Sequence, residues 1–238
     1  MPSQYDTIGA RYNSISSLPV VKLEEAAVEA HIGNVNQLKV LDIACGSGRY
    51  SRKLISWGAR EVVGLDNSES MLDAARLASK GDERLKFRNI DCSKPFDMGQ
   101  FDLVFASWFL NYAANEDEMV VMWKNIFNSL KPRRKCIGIT PNQDLLHCDF
   151  PNGPTFGQTL TPVEKVDGGV RNQIELHTSP PIIFRSYTLK REIYERSARK
   201  AGLCDLQWLP LPAIEDPSVP YTDLLECPHM QVFVVSRY

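Results

Sequence analysis

The chain lacks both an excess of positive charge and any long apolar run. Its 238 residues include 27 Lys and Arg against 29 Asp and Glu, which leaves a formal net charge of -2. We therefore expect no nucleic-acid partner, because such proteins concentrate Lys and Arg against the phosphate backbone. No segment reaches the roughly 20 apolar residues that span a bilayer, and the N-terminal residues show no signal-peptide pattern. These absences predict a soluble, cytoplasmic protein without a membrane partner.

Cysteines at metal-ligand spacing are also absent. None of the six cysteines forms a Cys-x-x-Cys pair, and none has histidines at the spacing that holds zinc. We predict no metal site. We also expect all six thiols to be reduced, without a structural disulfide. The six are Cys45, Cys92, Cys136, Cys148, Cys204 and Cys227.

Short apolar runs alternate with amphipathic stretches through the first part of the chain, and this alternation predicts a βαβ series with a parallel sheet. Two later runs, residues 203–209 and 230–236, are expected to close the sheet as an antiparallel pair. The predicted fold class is therefore α/β, with a seven-stranded, mostly parallel sheet and helices on both faces. The five predicted strands of the βαβ series are residues 40–44, 61–66, 85–91, 101–107 and 135–140.

We predict one domain over residues 1–238, with two additions to the sheet. Residues 1–36 are expected to form an N-terminal helical flap that closes over a ligand. Residues 141–187 are expected to form an inserted cap, with an extended loop to residue 170 and then an antiparallel hairpin. The cap would enclose an acceptor away from water.

A strand carries an acid into a glycine loop in the segment KVLDIACGSGRY, residues 39–50. Gly46 and Gly48 allow the backbone to lie close to a ligand, and the helix that follows presents free amide donors. Asp42 would repel the pyrophosphate of a dinucleotide but attract the ammonium and sulfonium groups of S-adenosylmethionine (SAM). The segment therefore predicts a SAM site.

These residues, with the acid that ends the second strand, resemble the motifs of the class I SAM-dependent methyltransferases. Asp42, Ala44, Gly46 and Gly48 match the glycine motif, with Ala44 in place of the usual first glycine, and Asp66 matches the acid that takes the ribose hydroxyls. The resemblance covers most of the chain. It implies a Rossmann-like methyltransferase sheet, with SAM as cofactor and S-adenosyl-L-homocysteine (SAH) as product.

The resemblance also implies roles for residues outside the glycine motif. The tyrosines of QYDTIGARY would cover the cofactor, and the third strand would end at the adenine. Within the family, the N-terminal segment is similar to natural-product methyltransferases of the toxoflavin-synthase type, which implies a role in secondary metabolism. The further cofactor-binding residues implied are Tyr5, Tyr12, Asn67, Met71, Asp91, Cys92 and Ala106.

The implied reaction is methyl transfer to an N, O or S atom of a small organic acceptor, in a monomer or homodimer. Trp108, Phe109 and Tyr112 follow the fourth strand and are predicted to wall the acceptor pocket. His147 and Tyr112 are the candidate catalytic residues, and His177 is a further pocket candidate. By contrast, His31 and His229 are expected to be surface or turn residues.

Two alternatives remain open. The protein could bind SAM without transferring its methyl group, because catalysis by positioning requires no particular catalytic residue. An NAD-dependent dehydrogenase is the other, since Gly46 and Asp66 have nearly the spacing of a dinucleotide fingerprint; Arg49, however, replaces its third glycine. The sequence ASWF after the fourth strand does not match the motif of amino-methylating DNA enzymes.

Overall fold

The computed structural model describes residues 3–238. Residues 1 and 2 of the predicted flap lie outside the described part of the chain. The strands are β1 (Lys39–Ile43), β2 (Glu61–Asp66), β3 (Leu85–Asn89), β4 (Phe101–Ser107), β5 (Leu130–Pro141), β6 (Gln158–Val166), β7 (Gly169–Leu176), β8 (Ile182–Leu189), β9 (Cys204–Leu209) and β10 (Met230–Arg237). The α-helices are α1 (Pro19–Ile32), α2 (Arg49–Ser56), α3 (Glu69–Ala78), α4 (Glu116–Ser129), α5 (Arg191–Lys200) and α6 (Tyr221–Glu226).

Seven strands form one sheet in the order β3-β2-β1-β4-β5-β10-β9. Strands β1 to β5 pair in parallel, whereas β10 pairs antiparallel with both β5 and β9. This arrangement confirms the predicted fold class. It also sets the place of the ligand, because open α/β sheets bind ligands beyond the carboxyl ends of their parallel strands.

Alternating side chains of the sheet enter two separate apolar cores, one on each face. Val40 and Phe105 pack on the face covered by α1 and α2. Leu41 and Val104 pack on the opposite face, with α4 and α5. The two layers of helices hold the sheet rigid, so the loops at its carboxyl edge have fixed positions.

Helix α4 begins at a side-chain cap. The Asn115 Oδ1 accepts a hydrogen bond from the Glu118 backbone N–H at 3.0 Å, and the Glu118 carboxylate accepts one from the Ala114 N–H at 2.8 Å. The apolar stripe of the helix is buried, and the Trp123 ring packs edge-on against Phe233 with a centroid distance of 5.2 Å. The apolar face of α4 therefore packs into the hydrophobic core.

A second sheet of three antiparallel strands, β6-β7-β8, lies between β5 and α5 in the chain. The predicted hairpin corresponds to β7 and β8. The expectation of an extended loop up to residue 170 is wrong, because β6 occupies residues 158–166 and pairs with β7. Most of β6 is exposed, and it contains Pro162, so its sequence has no apolar alternation to mark it.

The expectation that no cysteine forms a disulfide is also wrong, because Cys148 is bonded to Cys227. The two residues are 79 positions apart in the chain, and β10 brings them together by pairing antiparallel with β5, with Met230 opposite Pro141. The loop after β5 and the loop before β10 therefore meet. The other four cysteines are free.

Residues 3–238 contain no helix that is both long and apolar enough to cross a membrane. Within the same residues, no three His, Cys, Asp or Glu side chains are grouped as a metal site would require.

Candidate active site

The turn after β1 is built from backbone conformations that side chains disfavour. Ala44 has φ of 59°, and Gly46 and Gly48 have φ of 53° and 73°. A Cβ atom on Gly46 would lie 3.2 Å from the Met71 Cε. One on Gly48 would lie 3.0 Å from the ring of Phe87. Gly46 therefore keeps the cleft open, whereas Gly48 allows α2 to pack against the sheet.

We call the cavity around this turn the cofactor cleft. It has a volume of about 640 Å³ and opens beyond the carboxyl ends of β1, β2 and β4. Nine residues predicted to bind the cofactor or wall the acceptor pocket line it, namely Tyr5, Tyr12, Asp42, Ala44, Gly46, Asp66, Met71, Trp108 and Tyr112. The cleft also contains the Ser107 side chain, whose Oγ is buried and has no hydrogen-bond partner within residues 3–238.

Asp42 is almost completely buried and accepts a hydrogen bond from the Ser51 Oγ at 2.5 Å. Burial raises the pKa of its carboxyl to about 7, although the Ser51 hydrogen bond opposes that shift. Near neutral pH the side chain is therefore close to half ionised. A cation in the cleft would favour the ionised form.

Asp66 holds the glycine turn in place. One of its carboxylate oxygens accepts a hydrogen bond from the Gly46 N–H at 2.9 Å, and the other accepts one from the Ser68 N–H at 2.9 Å. Burial raises the pKa of this carboxyl, and the backbone hydrogen bonds oppose the shift. A carboxylate has about four lone-pair sites, so each oxygen retains capacity for a further donor.

An adjoining cavity of about 1090 Å³ continues from the cofactor cleft past Asp66. It is lined by four more of the predicted residues, Asn67, Asp91, Cys92 and Phe109. The Asp91 carboxylate accepts hydrogen bonds from the N–H and Oγ of Ser93 and pairs with Lys94. Burial raises the pKa of Asp91, but these contacts outweigh it and lower the pKa below its usual value. Asp91 thus caps its own turn at the cavity wall.

Asn125 on α4 holds the loop that carries Asp91 and Cys92. Its Nδ2 donates to the carbonyl oxygens of Cys92 at 2.9 Å and of Lys94 at 2.8 Å. Replacing Asn125 by Ala should cost about 2 kcal/mol of unfolding free energy, because the buried Cys92 carbonyl and the partly buried Lys94 carbonyl lose their donor. We expect chemical denaturation to measure this loss. Asn115→Ala, which removes an exposed helix cap, should cost about 1 kcal/mol and leave the loop unchanged.

A third cavity, which we call the apolar cavity, has a volume of about 600 Å³ and lies between the large sheet and the three-stranded sheet. Five of its lining residues also line the cofactor cleft, so the two cavities share a wall. The shared residues are Tyr5, Tyr12, Glu24, Trp108 and Tyr112. The remaining lining is mainly aliphatic and aromatic, including Val20, Ile174, Leu176 and Phe184.

Glu24 on α1 is a buried carboxylate in the shared wall. It accepts hydrogen bonds from the Tyr50 hydroxyl at 2.8 Å and the Trp108 Nε1 at 2.6 Å, and it forms an ion pair with Arg49. Trp108 has φ of 54°, a strained conformation for a side-chain-bearing residue. The hydrogen bond to Glu24 and the Trp108 N–H bond to the Ile139 carbonyl at 3.0 Å hold it there.

Residues 3–18 lie over the cofactor cleft and contact both sheets. Asp6 accepts a hydrogen bond from the Ser68 Oγ at 2.6 Å, and Asn13 accepts one from the Ser47 Oγ at 2.7 Å. On the other side, Gln4 exchanges two hydrogen bonds with the backbone of Arg185 on β8, both at 2.9 Å. The Tyr5 and Tyr112 hydroxyls are hydrogen-bonded to each other. Burial raises the pKa of both phenols, so both are protonated near neutral pH.

Four of the predicted site residues line none of the three cavities, namely Gly48, Ala106, His147 and His177. His147 is exposed on the turn after β5, and the ring of His177 bonds to the Thr159 hydroxyl at 2.9 Å outside the apolar cavity. Ala106 is completely buried inside β4, and Ser107, the next residue, reaches the cleft instead. Position in the chain places these residues at the carboxyl edge, but the orientation of each side chain decides what it contacts.

His229 lies in a bend, as expected, but it is not a surface residue, because it is 3% exposed and lines the apolar cavity. It directly precedes β10, and its ring stacks on Trp108 at a centroid distance of 5.8 Å.

Sequence reasoning also missed Glu24, although the sequence contains a pattern that could have identified it. Glu24 falls among Val20, Val21, Ala27 and Val28 at helical spacing, so the helix carries a carboxylate on its apolar face.

Known proteins with similar sequences are methyltransferases. A family model described as a methyltransferase domain matches residues 40–133. The chain is 30% identical over 149 residues to a demethylmenaquinone methyltransferase of Lactococcus lactis, and this match covers 60% of the chain and 56% of the relative. It is 29% identical over 159 residues to an mRNA cap guanine-N(7) methyltransferase of Caenorhabditis elegans, which covers 60% of the chain and 42% of that protein.

The fold is also that of solved methyltransferase structures. An S-adenosylmethionine-dependent methyltransferase from Mesorhizobium loti superposes with a TM-score of 0.65 at 19% identity, over 90% of this chain and 100% of that one. The chain spans about half the length of the two curated relatives. Those relatives differ in acceptor, one being an mRNA cap enzyme, so the similarity leaves the acceptor open.

Proposed function

We propose that this chain, which carries a class I SAM-dependent methyltransferase domain, transfers the methyl group of SAM to a small, largely apolar acceptor. The observation that carries the proposal is the wall shared by the cofactor cleft and the apolar cavity. A donor on one side and an acceptor on the other would meet at Tyr112 and Trp108. Such positioning is the main requirement for transfer from an already activated donor.

The cofactor cleft fits SAM on its own chemistry. Asp42 would pair with the ammonium group, Asp66 would accept from the ribose hydroxyls, and the cavity beside Asn67 and Asp91 would take the adenine. The aromatic rings of Tyr5 and Tyr12 would lie near the sulfonium, which favours contact with aromatic faces. SAM supplies an electrophilic methyl group when bound. The residues of this chain supply orientation and exclude water.

The lining of the apolar cavity supports a neutral acceptor. Of the residues that the structure describes, Glu24 is the one acidic side chain in that lining, and no Lys or Arg joins it. An anionic acceptor would therefore lose its hydration without gaining a cation. A natural-product acceptor in secondary metabolism, a cytoplasmic location and a monomer or homodimer remain predictions from the sequence.

The affinity for SAM should rise with pH. The Asp42 carboxyl has a pKa of about 7 because it is buried, so it is mainly neutral at pH 6 and mainly ionised at pH 8. Only the ionised form attracts an ammonium group, and about half of the SAM amine has lost its proton at pH 8, so we expect affinity to increase about fivefold between these values. Binding near pH 6 should release a proton. Calorimetry in buffers of different ionisation enthalpy measures both effects.

The matched control for this pH dependence is Asp42→Asn. The amide cannot ionise, so the variant should bind SAM weakly and with little change between pH 6 and pH 8. An unchanged pH dependence in the variant would assign the effect to another group.

The proposed function is tested by titrating the protein with SAM, SAH and NAD, and then incubating it with SAM and a library of small acceptors. We expect SAM and SAH to bind, NAD to bind undetectably, and SAH to accumulate with at least one neutral acceptor. Binding of SAM with no transfer to any acceptor would favour the alternative of a SAM-binding protein. Tight binding of NAD would favour the dehydrogenase.

A further inference from the structure

The imidazole of His229 is an unpaired polar group in the wall of the apolar cavity. The side chain is 3% exposed, and its Nδ1 is buried without a hydrogen-bond partner within residues 3–238. The ring is fixed by apolar contacts instead. Trp108 stacks on it at 5.8 Å, and Phe150 packs at an angle of 62° with a centroid distance of 6.0 Å. A buried polar group without a partner is costly, and one that lines a cavity can be satisfied by a ligand.

The environment of His229 keeps the ring neutral. Burial lowers its pKa to about 3, so at neutral pH one ring nitrogen carries a proton and the other has a free lone pair. In most buried histidines a hydrogen bond to the protein selects the tautomer. Because the Nδ1 of His229 has no such bond, the group that binds in the cavity sets the tautomer.

A second unpaired atom of the same cavity is also a hydrogen-bond acceptor. The Oδ1 of Asn111 is buried without a partner among the described residues, and Asn111 lines the cavity with His229. Glu24, the acidic side chain of the lining, accepts hydrogen bonds as well. Beside the hydroxyls of Ser186 and Thr188 and the Gln158 amide, the cavity therefore presents unpaired acceptor atoms to a ligand that brings a donor, as a hydroxylated apolar ring would.

We propose that the acceptor is a neutral hydroxylated ring compound and that His229 receives the hydroxyl proton during methyl transfer. The proposal rests on the proposed function and specifies its acceptor. In the balanced step the acceptor oxygen forms a bond to the methyl carbon, and the carbon–sulfur bond breaks with its electron pair passing to sulfur. The hydroxyl proton passes to a ring nitrogen of His229, which later releases it to water.

Other titratable groups near the cavity are less suited to take the proton. The Tyr5 and Tyr112 phenols are protonated, because burial raises their pKa values. The Glu24 carboxylate already accepts from Tyr50 and Trp108 and pairs with Arg49. His147 is exposed and lies outside the cavity. In contrast, His229 is buried in this wall, and its Nδ1 has no hydrogen-bond partner among the described residues.

The first test uses three probes with one ring skeleton, 2-naphthol, 2-naphthylamine and 2-naphthoate. Each is titrated into the protein saturated with SAH, whose own binding is measured beforehand. We expect 2-naphthol to bind and 2-naphthoate not to bind, because a carboxylate would meet no cation in the cavity. His229→Phe should weaken 2-naphthol binding about tenfold, the loss expected for one hydrogen bond, while SAH binding stays unchanged.

The second test separates a proton-accepting role from packing. With SAM, methylation of 2-naphthol should yield the methyl ether, and His229→Gln should lower kcat about 100-fold with KM changed less than threefold. The deficit should shrink for 6-cyano-2-naphthol, whose hydroxyl ionises more readily. His31→Gln, a control at a histidine that lines none of the three cavities, should leave both constants unchanged. A purely structural role of His229 would slow both naphthols equally.

The possible failures are distinguishable. Absence of SAH binding would overturn the proposed function together with this inference. Normal SAH binding would leave the proposed function standing while the inference fails in any of four cases: no binding of 2-naphthol, equal binding of 2-naphthoate, faster methylation of 2-naphthylamine than of 2-naphthol, or full activity of His229→Gln.

Discussion

Replacing Glu24 by Ala is expected to lower the unfolding free energy by about 3 kcal/mol, the low end of the range for breaking a buried ion pair. The substitution leaves the Tyr50 hydroxyl and the Trp108 Nε1 without their acceptor, and it removes one of the two carboxylates that pair with Arg49. Glu25 remains at 2.8 Å from Arg49, which is why the loss should not reach the upper end. Urea denaturation measures it.

Two matched variants identify the cause of this loss. Glu25→Ala also removes a carboxylate from Arg49, but Glu25 is partly exposed, so we expect a cost below about 1 kcal/mol. Glu24→Gln with Arg49→Met removes the charge at both positions and should recover a substantial part of the Glu24→Ala loss. If Glu24→Ala were no worse than Glu25→Ala, the buried network would not stabilise the wall between the cavities.

Asp66→Asn is expected to weaken SAM binding at least about 100-fold, equivalent to roughly 3 kcal/mol. The carboxylate would accept from the ribose hydroxyls while holding the Gly46 and Ser68 N–H groups at 2.9 Å. An Asn side chain has one acceptor oxygen, so it can satisfy one of these backbone donors but not both. Isothermal calorimetry with SAM measures the affinity, and thermal unfolding reports any change in the fold.

A surface aspartate provides the control for this variant. Asp82 also accepts a hydrogen bond from a backbone N–H, that of Arg84 at 3.1 Å. It lies in a turn and lines neither the cofactor cleft nor the adjoining cavity. Asp82→Asn should bind SAM as the wild type does. If Asp66→Asn kept the fold and bound SAM with wild-type affinity, the ribose hydroxyls would not bind at Asp66.

The sheet was predictable because its signals are local. The central parallel strands β1 and β4 are short apolar runs, and all but one residue of each is buried, so burial repeats the pattern of the sequence. The glycine turn was predictable for the same reason, since Asp42 and Asp66 lie near the carboxyl ends of two such strands and Gly46 follows the first of them.

The features that were missed depend on distant contacts. His229 follows Pro228 in a stretch that reads as a turn, and its burial comes from Trp108 and Phe150, which lie elsewhere in the chain. The bond between Cys148 and Cys227 depends on the pairing of β5 with β10. Strand β6 is exposed and is specified by its partner β7. No window of sequence contains these partners together.

Glu24 was partly predictable, because it combines a local sequence signal with contacts to distant residues. Its place on the apolar face of α1 was visible as a pattern, but the pattern alone does not show that Arg49, Tyr50 and Trp108 would surround it. Carboxylates on the apolar face of a helix are expensive to bury without partners. Such a residue next to a predicted ligand site therefore merits a place among the candidate residues.

A crystal structure of the protein with SAH is the most direct test of the central claim, that the cofactor cleft holds the methyl donor against the apolar cavity. We expect the ribose hydroxyls within hydrogen-bond distance of Asp66, the ammonium group beside Asp42 and the sulfur facing the wall formed by Trp108 and Tyr112. SAH bound elsewhere, or with its sulfur directed away from the apolar cavity, would contradict the proposed transfer.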